Sequence, residues 1–140
     1  MAMAANSVFF KKTYDEAVEL LVETRNYIAY MDPAAGDDIP AIERLQISAE
    51  TMRVTARLAQ VMAWMLAQKA AAAGEITPLE ASGPAFSVPD DPTCLAETES
   101  GATELPARLV QLLSRSRRLY VRVRHLNALV SDAAAVSAAD

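Results

Sequence analysis

The sequence predicts an all-α protein, an antiparallel three-helix bundle with a long second helix, and three observations support this fold class. Residues with high helix propensity are abundant, whereas the 140 residues include only four glycines. Three segments repeat apolar residues in alternating steps of four and three, which places them on one face of a helix. Proline, glycine or polar residues separate the segments. A chain of this length is expected to form one domain.

This domain, residues 1–140, is predicted to contain helices over residues 8–31, 41–73 and 105–131. Pro33 ends the first helix, because the residue before a proline is disfavoured in the helical conformation. Pro40 and Pro106 are compatible with the starts of the second and third helices, where a missing N–H has no helical partner in any case. Gly74 suits the left-handed residue that often follows a helix.

Residues 75–104 are predicted to be a flexible acidic linker, because four prolines and seven acids occur there without lysine or arginine. A connection this long is unusual inside a small bundle and is expected to be functional or disordered. One helical turn over residues 78–81 is compatible with the sequence. Residues 132–140 are predicted to be a mobile tail. Two interpretations of its alanine-rich end stay open: a handle for an ATP-dependent unfoldase, or a plain disordered terminus.

The second helix carries apolar residues on two nearly opposite faces, although one such face is enough in a monomeric bundle. The first stripe is Leu45, Ala49, Met52, Ala56, Ala59, Ala63, Leu66 and Ala70. The second stripe is Ile47, Thr51, Val54, Leu58, Val61, Met65 and Gln68. Two stripes indicate two partners. We therefore expect one face to pack within the chain and the other to pair with a second copy in a two-fold homodimer.

The larger side chains of the second stripe are the predicted dimer interface: Ile47, Val54, Leu58, Val61 and Met65. The opposite assignment stays open, because the alanine-rich first stripe would permit a close approach of two helices. A monomer whose first and third helices flank the second from both sides is also compatible. A membrane span is not expected, since the uncharged run from Leu58 to Gln68 has eleven residues and a span needs about 20.

The third helix is unusual in charge, because it contains six arginines and no acid between residues 105 and 131. Arg108, Arg115 and Arg122 are seven apart and form one row beside the apolar stripe. Three interpretations compete: the row pairs with acids of neighbouring helices, the acidic linker folds over it, or it contacts an acidic protein or a phosphate backbone. The candidate partner-binding residues are Arg108, Arg115, Arg118 and Arg122.

Catalytic chemistry is not predicted. Cys94 and His125 are the only cysteine and histidine, which excludes an internal disulfide and a thiolate metal cluster. His125 is expected at the surface. No glycine-rich phosphate-binding motif is present, so no catalytic, cofactor-binding or metal-binding residue and no cofactor is predicted, and the chain is expected not to be an enzyme. The single cysteine and the lack of a signal-peptide pattern favour a reducing, cytoplasmic location. The net charge of −5 disfavours nonspecific nucleic-acid binding.

Three strings identify a family resemblance. TYDEAVELLVETRNYIA, ETMRVTARLAQVMAWMLAQKAAAAGEI and LPARLVQLLSRSRRLYVRVRHLN, in this order, resemble the alphaproteobacterial DUF1465 family. The resemblance covers all three predicted helices, residues 9–129, and its middle string is the most specific part. It supplies no catalytic residues.

The resemblance implies a fold and a role. The family's characterised member, a regulator of CtrA degradation, is a homodimer of three-helix subunits and a proteolytic adaptor in cell-cycle control. It links cargo, including the response regulator CtrA, to the ClpXP unfoldase-protease together with other regulators. We therefore expect a homodimeric adaptor with protein partners. The alternative is a helical regulator that binds nucleic acid through the arginine-rich third helix.

Overall fold

A computed structural model describes residues 2–33, 38–97 and 104–139, and the regular secondary structure in these ranges consists of helices without a β-strand. The all-α prediction is therefore confirmed. The helices are α1 (Ala2–Asn26), α2 (Ala41–Ala72), α3 (Pro78–Ala81), α4 (Pro92–Leu95) and α5 (Ala107–Ala139), and a π-helical turn, Tyr27–Met31, extends α1. The long helices α1, α2 and α5 all contact one another, while α3 and α4 lie against both α2 and α5.

Two helices extend beyond their predicted bounds. Helix α1 begins at Ala2 instead of residue 8, and α5 continues to Ala139 instead of ending at residue 131. Both extensions are rich in alanine, and neither contains a proline or glycine that would stop a helix. The described part of the expected mobile tail, residues 132–139, is therefore helical.

Periodicity predicts a core stripe on α1 that the observed core face does not follow in the second half of the helix. The predicted stripe is Phe10, Tyr14, Ala17, Leu21, Thr24, Ile28 and Met31. Leu20 and Tyr27 are buried. Leu21 and Ile28, which lie on the predicted stripe, are exposed. The reason is that α1 packs against two neighbours at once, so the face that points between them is the one that is buried.

Burial and then the charge of Asp32 raise the pKa of Tyr27 to about 12.

The core lies where the faces of α1, α2 and α5 meet. Leu58 and Met65 of α2, together with Leu119 of α5, are almost completely buried, and each such side chain contributes roughly 1.5–3 kcal/mol relative to an exposed position. Trp64 packs against Phe10, with ring centroids 6.4 Å apart. Its indole N–H donates a hydrogen bond of 2.9 Å to the Asn127 side-chain oxygen. Trp64 is thus a packing residue that ties all three long helices together.

Residues 75–97 of the predicted flexible linker include α3 and α4 and pack on the core, while residues 98–103 of that linker lie outside the described residues. Gly74 has the left-handed φ of 78° that its position after α2 predicts. Thr77 and Asp91 cap α3 and α4 through their side-chain oxygens. The buried side chains of Val88 and Cys94 hold this segment on the core, and burial of this kind offsets the entropy of ordering a proline-rich chain.

Candidate protein-interaction surfaces

The predicted dimer stripe of α2 lies inside the chain's own core. Its five residues, Ile47, Val54, Leu58, Val61 and Met65, are at most 4% exposed. Helices α1 and α5 both contact α2 and cover this face. A side chain with no exposed surface cannot contact a second copy of the chain, so this choice of dimer interface is wrong.

The opposite stripe of α2 is exposed. Ile42, Leu45, Met52 and Leu66 are between 53% and 70% exposed, and the alanines at positions 49, 59 and 63 lie exposed among them. We call the row from Leu45 to Ala70 the outer face of α2. A long row of exposed apolar side chains typically marks an interaction surface, and this is the face that α2 has available for a partner.

The predicted arginine row of α5 is partly used within the chain. Arg115 forms an ion pair with Glu23 and lies 3.8 Å from Glu19, and Arg122 donates a hydrogen bond of 2.8 Å to Glu16. All three acids belong to α1. The interpretation that the row pairs with a neighbouring helix therefore holds for these two arginines.

The other two candidate partner-binding residues are exposed. Arg108 and Arg118 lie on the outer side of α5, and within the described ranges neither forms an ion pair. The structure thus divides the four candidates into two that tie α5 to α1 and two that are available to a partner.

A second arginine row, which the sequence reasoning missed, lies on the opposite edge of α5. Arg117 donates a hydrogen bond of 2.9 Å to the Leu95 carbonyl oxygen and lies 3.8 Å from Glu97, and Arg124 lies 2.8 Å from Asp90. These two arginines are also seven apart, which is the signal that could have identified the row. The acidic segment was predicted to fold over the row of Arg108, Arg115 and Arg122, whereas its described residues contact Arg117 and Arg124 on this opposite edge.

We call the segment from Val88 to Glu97 the strap, because it crosses α2 and α5 and contacts both through many polar groups. Tyr120 of α5 donates a hydrogen bond to the Pro89 carbonyl oxygen, and Gln60 of α2 reaches Asp91 at 3.4 Å. Arg53 contacts the carbonyl oxygen of Glu97 at 3.4 Å. The strap is thus held from both helices along its whole length.

Arg57 is the central residue of this attachment and is only 1% exposed. Its guanidinium donates to the carbonyl oxygens of Cys94 (2.8 Å), Ala96 (2.8 Å) and Leu113 (2.9 Å), and to the Ser116 hydroxyl (3.1 Å). Burial, followed by the nearby charge of Arg53, lowers the pKa of Arg57 to about 10. The residue remains charged at neutral pH, and its four acceptors replace the water that burial removes.

The sequence analysis assigned no role to Arg57. Its helical position indicates more, because it lies on the side of α2 that carries Val54 and Val61. A charged residue beside the core stripe requires buried acceptors. Two of the acceptors lie 37 and 39 residues away in the sequence and two lie 56 and 59 residues away, and periodicity contains no information on these pairings.

Cys94 is buried beside this attachment. Burial, and then the charge of Asp91, raise the pKa of its thiol, which keeps it protonated and unreactive at neutral pH. His125 is exposed. Within the described ranges, no cluster of three histidine, cysteine or acidic residues could hold a metal ion. Searching the same residues identifies no helix that combines the length and the apolar character of a membrane span.

The comparisons with known proteins agree with this arrangement. Residues 1–140 match the family described as a protein of unknown function, DUF1465. The chain belongs to the DUF1465 family. Its fold also matches the crystal structure of RcdA from Caulobacter crescentus CB15, with a TM-score of 0.69 and 33% sequence identity over 86% of this chain and 89% of RcdA. No curated protein matches this DUF1465 chain.

Proposed function

We propose that this protein is a non-enzymatic adaptor that promotes delivery of cell-cycle regulators, including a CtrA-like response regulator, to the ClpXP protease in the cytoplasm. The observation that carries the proposal is the likeness to RcdA, which covers most of both chains at 33% identity. The family resemblance of the three sequence strings implies the same role. An adaptor works by presenting surfaces, and it needs no reaction centre of its own.

The surfaces of the molecule support this proposal. An adaptor has to contact more than one partner, and the chain has two exposed regions of different chemistry on different helices. One is the apolar outer face of α2, and the other is the outer side of α5 with Arg108 and Arg118. We propose that α5 contacts an acidic surface of cargo or protease through these two arginines, while Arg115 and Arg122 keep α5 fixed on α1.

We further propose that the adaptor is a homodimer of three-helix subunits and that the outer face of α2 forms the dimer. This assignment replaces the buried stripe with the exposed one. Apolar side chains such as Leu45 and Met52 lose their contact with water in such a dimer, and this burial is the usual driving force for association. A dimer also doubles the number of partner sites on one particle, which increases the effective affinity for paired partners.

The experiment that tests the adaptor role measures the lifetime of the response regulator in the native cell. Translation is blocked, and the half-life of the regulator is followed by immunoblot in wild-type cells and in cells that lack this chain. We expect a longer half-life without the chain and a normal one after the wild-type gene is restored. The native cell is chosen because it supplies any accessory regulators that the reaction needs.

A charge-reversal variant links the result to α5. Arg118→Glu is expected to prolong the half-life, because it places a negative charge at the proposed contact. Lys11→Glu, the same kind of charge reversal at an exposed position of α1, serves as the matched control and should behave like wild type. An unchanged half-life in cells that lack the chain would refute the adaptor role. Binding of the purified chain to DNA at low salt would instead favour a nucleic-acid function.

A further inference from the structure

A cavity of about 290 Å³ lies on α5 beside the end of the strap. Side chains of α2, the strap and α5 line it, among them Arg57, Glu97, Val110, Leu113, Arg117 and Arg118. Three arginines and one glutamate give the lining a net charge of +2, although the whole chain carries −5. The volume is at the lower end of the range for ligand pockets, so it suits a few side chains of a bound segment.

The arginines of this cavity are held in place and still have donors for a ligand. The Arg117 Nε donates to the Leu95 carbonyl oxygen at 2.9 Å, while its two Nη groups form no hydrogen bond with a described residue. Arg118 is exposed. Arg57 has five N–H groups and four acceptors among the described residues. Burial lowers the pKa of Arg57 to about 10, and the charge of Arg117 acts in the same direction, so an anion near both would relieve their repulsion.

The carboxylate of Glu97 lines the same cavity but is loosely held. Its Oε1 lies 3.8 Å from the Arg117 Nη1, and the side chain is 81% exposed. This distance exceeds that of a hydrogen bond. The backbone beside it is fixed, because the Ala96 carbonyl oxygen accepts a hydrogen bond of 2.8 Å from Arg57. Glu97 is therefore a weak internal ligand, which a better-placed carboxylate can displace.

Val110 and Leu113 give the cavity an apolar wall. Val110 is 49% exposed and Leu113 is 4% exposed, so one valine side chain in particular remains open to a partner. A phosphate or a nucleic-acid backbone has no group that matches such a wall. An aliphatic side chain next to a carboxylate matches both the wall and the arginines, and its burial is favourable. This combination is typical of a protein segment.

Arg118 also borders a second, wider groove of about 550 Å³, which Arg115, Arg122 and Glu16 line with it. This groove too has more basic than acidic groups. Arg115 and Arg122 pair with acids of α1, which fixes their positions. Because the two depressions share Arg118, a bound segment can continue from one to the other and place a further acidic residue there.

We propose that the cavity beside the strap is a docking pocket for a short acidic segment of a partner protein. An aliphatic side chain of the segment lies against Val110 and Leu113. The adjacent carboxylate pairs with Arg117 and Arg118 in place of Glu97. The proposal rests on the proposed adaptor role, since the segment belongs to a protein that takes part in delivery, and it gives that contact a place and a chemistry.

A random peptide library displayed on phage tests this chemistry without assuming a sequence. The library is panned against the purified full chain, and the enriched peptides are sequenced. We expect aspartate or glutamate next to leucine, isoleucine, valine or methionine in these peptides, and no such enrichment on Arg118→Glu. Enrichment of basic or uncharged peptides, or no enrichment on the wild-type chain, overturns the proposal.

Fluorescence anisotropy with the most enriched peptide, synthesised with a fluorophore, measures the affinity. Arg118→Glu is expected to raise the dissociation constant about tenfold or more, because a charged hydrogen bond is lost. Val110→Asp should have an effect of similar size, because it places a charge on the apolar wall. Lys11→Glu and Val22→Asp are the matched controls at exposed positions of α1, and circular dichroism verifies that all four fold. Equal losses in variants and controls would overturn the pocket.

Replacement of Glu97 separates displacement of a carboxylate from general attraction to positive charge. Glu97→Gln should lower the dissociation constant about two- to fivefold, since the chain's own carboxylate no longer competes. Glu80→Gln, which removes the same charge at an exposed position of α3, is the control and should bind like wild type. Equal changes in both variants contradict the displacement. Binding of a labelled single-stranded oligonucleotide as tight as that of the peptide would overturn the assignment to a protein segment.

The half-life experiment separates this pocket from the adaptor role. A longer half-life in cells that lack the chain, together with no enrichment of acidic peptides, overturns the pocket and supports the adaptor role. Peptide binding that Arg118→Glu and Val110→Asp both weaken, together with an unchanged half-life in cells that lack the chain, supports the pocket and overturns the adaptor role.

Discussion

Replacement of Arg57 by methionine tests the role of the buried guanidinium most directly. Methionine has a similar length and fits an apolar environment, but it donates no hydrogen bond. The change removes four hydrogen bonds, two of which hold the strap through the carbonyl oxygens of Cys94 and Ala96. If the strap detaches, these two carbonyl oxygens form hydrogen bonds with water instead of remaining buried without a partner. The loss in the free energy of unfolding is therefore at most the contribution of the two bonds to the strap.

The magnitude follows from these two bonds. A hydrogen bond to a charged group contributes roughly 1.5–3 kcal/mol, which gives an upper limit of about 3–6 kcal/mol for the pair. This figure is already net of desolvation, and the apolar contacts of a methionine that fills the same space recover part of the loss. We therefore expect Arg57→Met to lower the free energy of unfolding by about 2–4 kcal/mol. For a domain of this size, the melting temperature should fall by roughly 10 °C.

Two measurements check this expectation at a fixed protein concentration, since a dimer makes the melting temperature depend on concentration. Calorimetry or circular dichroism gives the melting temperature. Amide hydrogen exchange should show faster exchange in the strap, residues 88–97, with little change in α1. Arg53→Met is the control, because Arg53 makes a single long contact of 3.4 Å to the strap and should lose less than about 1 kcal/mol.

The result that would refute this reasoning is a strap whose exchange rates do not change in Arg57→Met. In that case the apolar contacts of Val88 and Cys94 hold the segment without the guanidinium. Arg57→Lys refines the outcome, since lysine keeps the charge but cannot reach several carbonyl oxygens with a planar group of donors. It is expected to recover only part of the lost stability.

Three further predictions concern the core, a tyrosine and an ion pair. Leu58→Ala should lower the free energy of unfolding by about 2–5 kcal/mol because it opens a cavity, whereas Leu129→Ala, at an exposed position, should lose under about 1 kcal/mol; equal losses in urea would contradict the assignment of Leu58 to the core. Burial raises the pKa of Tyr27 from 10.0 to about 12, so its contribution to stability is complete below pH 10 and is lost as the pH rises towards 12. The free energy of unfolding, measured at pH 10, 11 and 12, should fall less steeply with pH in Tyr27→Phe than in the wild type. Equal slopes in the two proteins would exclude this tyrosine as the cause. Glu16→Gln removes the pair with Arg122 and should lower stability by less than about 1 kcal/mol, with the difference vanishing in 1 M salt; a difference that persists in salt would mean that the pair acts through packing.

The periodicity of the sequence predicts much of this fold because helix formation is a local property. Alternating steps of four and three identify α2 and the core stripe of α5, where Leu109, Leu119 and Val123 are buried. Gly74 and the prolines mark helix ends for equally local reasons, namely a left-handed φ and a missing N–H. The two apolar stripes of α2 also follow from the sequence, since both depend only on spacing.

The tertiary structure alone decides which of these stripes is inside. Both have the same spacing, so periodicity cannot rank them, and larger side chains were assigned to the dimer. In the folded chain the larger side chains fill the space between α2 and its two neighbours, because a close-packed interior leaves few voids and small side chains would not fill it. The small alanines remain outside, where they leave room for another helix.

The strap depends on contacts that local sequence does not encode. The prolines and acids of the strap are typical of a flexible linker. In the folded chain, however, Arg57 and the second arginine row of α5 lie within hydrogen-bonding or ion-pairing distance of the carbonyl and carboxylate oxygens of the strap. Such pairings join residues that are far apart in the sequence, and only the packing of α2 against α5 brings them together. The sequence by itself thus determined the three long helices and the two apolar faces of α2, whereas long-range packing decided which of these faces is free and how the acidic segment lies on the core.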